Sequence, residues 1–110
     1  MAGGTGAGFL HMVYFYLRNG GSTDDARALL HGCREHLTNI RGVLRLSVGT
    51  PAGTPRNVVD NAYGVALLVE FADAAAHDVY QDHPDHLRFI EACSSLWSRV
   101  QVYDSVVARP

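Results

Sequence analysis

Between Leu10 and Leu17 the chain reads LHMVYFYL, an apolar run rich in the aromatic and branched side chains that pleated strands accommodate, and Asn19-Gly20-Gly21 stops it. This is the first predicted strand. Beyond it, Ala26, Leu29, Leu30, Cys33, Leu37 and Ile40 recur at the spacing that lines one side of a helix. Ser22 or Thr23 caps that helix, Asp24 and Asp25 set carboxylates against the positive end of its dipole, and Gly42 is expected to end it near Arg41. Alternation then returns in Val43 to Val48, where Leu44, Leu46 and Val48 share a face opposed to Arg45 and Ser47, giving a second strand.

The stretch from Thr50 to Asn61 holds two prolines, a glycine and no helical stripe. A connection this long in so short a chain reads as a lid or a dimer arm. Tyr63 to Phe71 is the third strand, with Tyr63, Val65, Leu67, Val69 and Phe71 on one side and Gly64, Ala66, Leu68 and Glu70 on the other. Asp73 caps a short helix from Ala74 to Tyr80, and Pro84, which suits a first turn, restarts it over Asp85 to Trp97. Val100 to Val107 is the last strand. The order β-α-β-β-α-β predicts an α+β, ferredoxin-like unit with a four-stranded antiparallel sheet. Residues 1–8 lack periodicity and are expected to be a disordered leader or cloning remnant, which leaves 9–110 as one domain.

Two helices cover one face of such a sheet, yet both faces are apolar. Met12, Tyr14 and Tyr16 alternate with Val13, Phe15 and Leu17, and the third strand repeats this two-sided character. An uncovered face of this kind exceeds the few hundred Å² of apolar patch that monomers tolerate. An isologous partner, sheet against sheet, covers it, so a homodimer is expected.

Composition narrows the function classes. At 110 residues and 47% hydrophobic, the chain supports one core. Its net charge of -2 and scattered basic residues lack the footprint of a nucleic-acid binder. No apolar run reaches the roughly 20 residues of a membrane span, and the first residues do not form a signal peptide, so a cytoplasmic protein without a membrane partner is expected. All nine basic residues are arginine, which excludes Schiff-base chemistry and a phosphate-gripping lysine. Cys33 and Cys93 form no CxxC or Cys/His pattern and read as buried thiols.

Candidate chemistry concentrates in Tyr80-Gln81-Asp82-His83-Pro84-Asp85-His86. His86, Ile90, Cys93 and Trp97 follow at helical spacing, which puts His86 on the stripe facing the sheet. In a first turn the helix dipole disfavours the imidazolium, leaving the neutral ring that general acid/base catalysis needs. His11 lies on the side of Val13, Phe15 and Leu17, so a pocket of His11, Tyr80 and His86 is predicted. The bland alternative is that either histidine simply bonds to backbone or water in the core. His83 reads as an N-cap, and His31, His36 and His77 read as surface helix residues. His83 and His86 have a metal-chelating spacing with Asp82 and Asp85 nearby, but no third ligand is fixed by spacing, and no metal or cofactor is assigned. Tyr14, Tyr16, Tyr63 and Tyr103 read as sheet packing, and Trp97 as the residue closing the end of the core.

In HMVYFYL, IRGVLRLSVG, YGVALLVEF, VYQDHPDHLRF and VQVYD the chain resembles the stress-responsive A/B barrel (Dabb) domain family, with the Tyr-x-x-His-Pro-x-His segment its most specific part. The resemblance spans His11 to Val106. It implies a dimeric α+β barrel of two ferredoxin-like subunits. A distant similarity to olivetolic acid cyclase, which closes a ring by aldol condensation without a cofactor, implies that His86 orients or protonates a substrate carbonyl. By the same resemblance Tyr80 assists proton abstraction and His11 lines the pocket. The departure is Val65, where that cyclase carries a pocket histidine, which implies a drier pocket. The resemblance also leaves open a non-catalytic stress or interaction module, and an oxygenase or haem-linked enzyme of related barrels.

Overall fold

The computed structural model describes residues 6–108. In chain order it contains β1 (Phe9–Leu17), α1 (Thr23–Leu37), β2 (Arg45–Gly49), β3 (Val65–Phe71), α2 (Ala74–Asp82), α3 (Pro84–Cys93) and β4 (Trp97–Val106). A single tight turn over Ser94–Leu96 joins the last two. The strands form one antiparallel sheet in the order β2-β3-β1-β4, so the fold is α+β and ferredoxin-like, as the alternation predicts. Most of the leader lies outside the described residues. Gly8 is described, and its backbone donates to Phe71 O and accepts from Val107 N, both at 2.9 Å.

Strand residues alternate strictly between buried and half-buried in β1 and β3. Val13, Phe15 and Leu17 join Val65, Leu67, Val69 and Phe71 beneath the helices, and Leu29, Cys33 and Leu37 of α1 close over them with Phe89 and Cys93 of α3. Leu10, Met12, Tyr14 and Tyr16 take the helix-free face and are half-buried. One end of that face is covered by the long loop, whose Asp60 accepts a 2.7 Å bond from Tyr16 Oη and whose Tyr63 packs edge-on against Tyr14.

The helix boundaries depart most from the sequence reading at the ends of α1 and α3, while α2 runs two residues past Tyr80 to Asp82. Helix α1 is capped by Ser22, whose hydroxyl accepts from Asp25 N at 3.1 Å, but it ends at Leu37, short of Arg41. Thr38 and Asn39 are poor helix formers, and the chain turns instead, keeping Ile40 buried and reversing at Gly42 with φ of 99°. Helix α3 stops at Cys93, and Trp97 belongs to β4, where its ring lies 4.7 Å from Phe15 and closes the end of the core. The buried face of α3 carries Phe89, while Ile90, expected on the stripe, is 39% exposed.

Helices α1 and α3 approach closely at Gly32, where an added Cβ would sit 2.4 Å from Cys93 Sγ. Gly32→Ala is therefore expected to destabilise the fold by about 1–3 kcal/mol despite alanine's better helix propensity. Urea denaturation of the single and double variants checks this: adding Cys93→Ala should recover part of the loss, and strict additivity would contradict the contact.

Candidate functional site

His83 ends α2 and caps α3, its Nδ1 accepting from Asp85 N at 3.0 Å, and Pro84 opens the second helix. The break folds the chain so that Tyr80, in the last turn of α2, meets His86, in the first turn of α3, with ring centroids 4.8 Å apart. His11 enters from β1, its ring 5.8 Å from that of Tyr80. The structure thus brings all three sequence-predicted site residues to one cavity of about 180 Å³, whose walls include Phe15, Leu67, Phe89 and Trp97. Drug-sized ligands occupy roughly 300–1,000 Å³, so this space suits a compact, single-ring compound. Its lining also includes Val100 and Val102 on the edge strand, which are 37% and 40% exposed.

Burial dominates the electrostatics. It lowers the pKa of His86 below the ordinary 6.5, assisted by the nearby His11 and opposed by a backbone bond at Gln81. His86 Nδ1 is buried with no hydrogen-bond partner. His11 is 4% exposed and its Nδ1 lies 2.6 Å from Asp104 Oδ1; burial lowers its pKa more than the carboxylate raises it. The Tyr80 phenol is pushed up by burial and then by the Cys33 thiol, itself raised to about 12 by burial. At neutral pH the cavity therefore presents uncharged imidazoles and a protonated phenol.

Two members of the cluster were not foreseen. His77, read as a surface residue, has a side chain only 12% exposed, stacked on Phe9 at 4.6 Å and 4.9 Å from the ring of His11. Its spacing of three from buried Tyr80 and four from Gln81, to which it bonds at 2.9 Å, is the signal that could have placed it inward. Asp104 stands directly opposite His11 in the β1/β4 register, a pairing that follows only once the strands are aligned. His83 spends its Nδ1 on capping, which leaves only Nε2 for any role beside His86. Val65, the departing position, is fully buried in the core, and its neighbour Leu67 faces the cavity instead.

The model for the Stress Responsive A/B Barrel Domain matches residues 9–107. Among solved structures the chain is similar to a Dabb family protein with a ferredoxin-like fold from Mesorhizobium loti, at 27% identity over 94% of this chain and 99% of that one, with a TM-score of 0.76. A dimeric ferredoxin-like protein of unknown function from Thermobifida fusca shares 16% identity over 92% of each chain, with a TM-score of 0.75. A hydroxynitrile lyase from Passiflora edulis shares 13% identity over 93% of this chain and 94% of that one, with a TM-score of 0.76. These last two likenesses carry the fold alone. No curated protein gives a significant match.

Proposed function

Because the chain belongs to the stress-responsive A/B barrel domain family, we propose that it acts as a homodimer whose subunits each bind a compact carbonyl or phenolic compound at His86 and perform cofactor-free, cyclase- or isomerase-like acid/base chemistry on it. The observation that carries this reading is His86 Nδ1, buried at an apolar cavity with no protein partner. A polar atom left bare at a cavity is costly unless something else bonds to it. A ligand hydroxyl or carbonyl supplies that bond, and the lowered pKa keeps the ring neutral and able to accept a proton.

Tyr80 takes a different part from the proton abstraction implied by the resemblance. Its raised pKa holds the phenol protonated, so it donates a hydrogen bond to a carbonyl oxygen as charge develops there. His11, held by Asp104, lines the wall and fixes the ligand's orientation. The half-buried aromatic face of the sheet supports pairing of two chains into an α+β barrel, as does the description of solved relatives as dimeric. That one protein of this fold is a lyase shows that the fold can house an enzyme, although fold analogy names no reaction. The free thiols Cys33 and Cys93 fit a cytoplasmic location.

Titration with 4-hydroxybenzaldehyde, which carries both groups, tests the reading. Saturable binding is expected in the parent protein and should weaken at least about tenfold in His86→Ala, a loss of roughly 1.4 kcal/mol. The same variant gives up only the backbone bond at Gln81 and ring contacts with Tyr80 and Phe89, so it should lose no more than about 2 kcal/mol of stability. Unchanged binding together with a large drop in melting temperature would instead assign His86 to the scaffold.

A further inference from the structure

Three elements deliver one side chain each to a single point beside the His86 cavity: His11 from β1, His77 from α2 and Asp104 from β4. One ligand-type atom of each lies within 4.8 Å of the other two. We propose that His11, His77 and Asp104 form a binding site for a divalent transition-metal ion of the zinc class. This goes beyond the ligand-binding reading of His86 and does not depend on it.

Two imidazole nitrogens and a carboxylate oxygen are the donor set of three-ligand zinc sites, in which the fourth position stays open to water or substrate. Metal-ligand bonds of about 2.0–2.2 Å in a tetrahedral arrangement place donor atoms about 3.4 Å apart. His11 Nδ1 and Asp104 Oδ1 stand at 2.6 Å, and His77 Nε2 and Asp104 Oδ2 at 4.0 Å. The first pair must open and the second close, each by less than about 1 Å, and the two imidazole nitrogens, within 4.8 Å of each other, must also draw together; rotation of the Asp104 carboxylate with a small shift of the rings accomplishes this. That carboxylate is 37% exposed on the edge strand, so it has room to turn and the ion has a way in.

The state of His77 also suits a ligand. The amide of Gln81 lies 2.9 Å from His77 Nε2 and donates to it, so Nε2 carries a lone pair that Gln81 gives up when an ion takes its place. The proton then sits on Nδ1, on the side of the exposed Asp78 carboxylate, whose Oδ1 lies 3.6 Å away, beyond direct hydrogen-bond distance. Phe9 and Phe71 pack on the ring at 4.6 and 5.6 Å and hold it in place.

The test uses the full chain with cobalt(II) chloride and zinc chloride. Expected results are one Co²⁺ per chain, visible d–d absorption of a low-coordinate nitrogen and oxygen site, its displacement by Zn²⁺, and a Zn²⁺-dependent rise in melting temperature. His77→Ala and Asp104→Asn should each weaken Zn²⁺ binding by at least about 100-fold, since loss of an outer partner alone costs 10–100-fold. His77→Gln provides a second, size-matched variant, with circular dichroism confirming that each one folds. His31→Ala, which removes the exposed histidine 3.2 Å from Glu35, should leave binding intact. The proposal is overturned if the parent gives neither the bands nor the shift. It is equally overturned if folded His77 and Asp104 variants bind as the parent does, or if His31→Ala abolishes binding. None of these failures alters the outcome of the 4-hydroxybenzaldehyde titration.

Discussion

Phe71→Ala is expected to remove about 3–5 kcal/mol of folding stability, a large share of the roughly 5–15 kcal/mol typical of a domain. Phe71 ends β3 fully buried, and its ring meets Phe9, His77 and Tyr80 at centroid distances of 6.3, 5.6 and 5.1 Å. Truncation leaves a void between the sheet and α2 that three rings of fixed rotamer cannot easily fill. Urea denaturation should show a lower midpoint with an unchanged slope. Since Phe71 also supports Tyr80 and His77, affinity for the cavity ligand should fall along with stability. A loss under about 1 kcal/mol would mean that this end of the core is packed differently from the contacts described above.

Leu68→Glu is expected to turn the proposed dimer into a folded monomer. Leu68 sits on β3 in the helix-free face, directly opposite Met12 on β1 and Ser47 on β2, away from the helix-covered core. In a free chain the carboxylate meets water and costs little. Pressed against a twin sheet it is a buried charge without a partner, at a penalty of several kcal/mol per ion, and two copies enter each interface. Sedimentation should give twice the 12.0 kDa chain mass for the parent and the single mass for the variant, with helical circular dichroism preserved. A variant that remains dimeric would place the interface elsewhere, and a monomeric parent would remove the sheet-to-sheet assembly.

Much of this architecture is legible before any coordinates because a strand buried on one face must alternate. Val65, Leu67, Val69 and Phe71 do so without exception, and the same pattern in β1 places His11 inward. The cap residues Ser22 and Asp73 and the helix-opening Pro84 are equally readable, since each answers a local need for hydrogen-bond acceptors or a fixed φ. Helical stripes are less decisive. From His86, a step of four selects Ile90 and a step of three selects Phe89; both are apolar, and only packing against Phe15 and Trp97 decides for Phe89.

The site was half legible for a related reason. Tyr80, His83 and His86 lie within one turn-helix segment, where local rules apply. Asp104 joins His11 across a separation of 93 residues, through a strand register that no local rule sets. His77 was misplaced because α2 is short and alanine-rich, so its sequence barely marks which side faces the sheet.

Everything proposed for the cavity requires a neutral, desolvated His86. NMR titration of the imidazole resonances measures this directly: His86 should reach half-protonation below the ordinary 6.5, because burial disfavours its charged form. The sign for stability follows, since an unfolded chain takes up that proton first. The contribution of His86 is complete above about 6.5 and is lost as pH falls through the lowered folded value. A His86 that titrates at or above 6.5, with no shift on addition of 4-hydroxybenzaldehyde, would show a solvated ring and contradict the account.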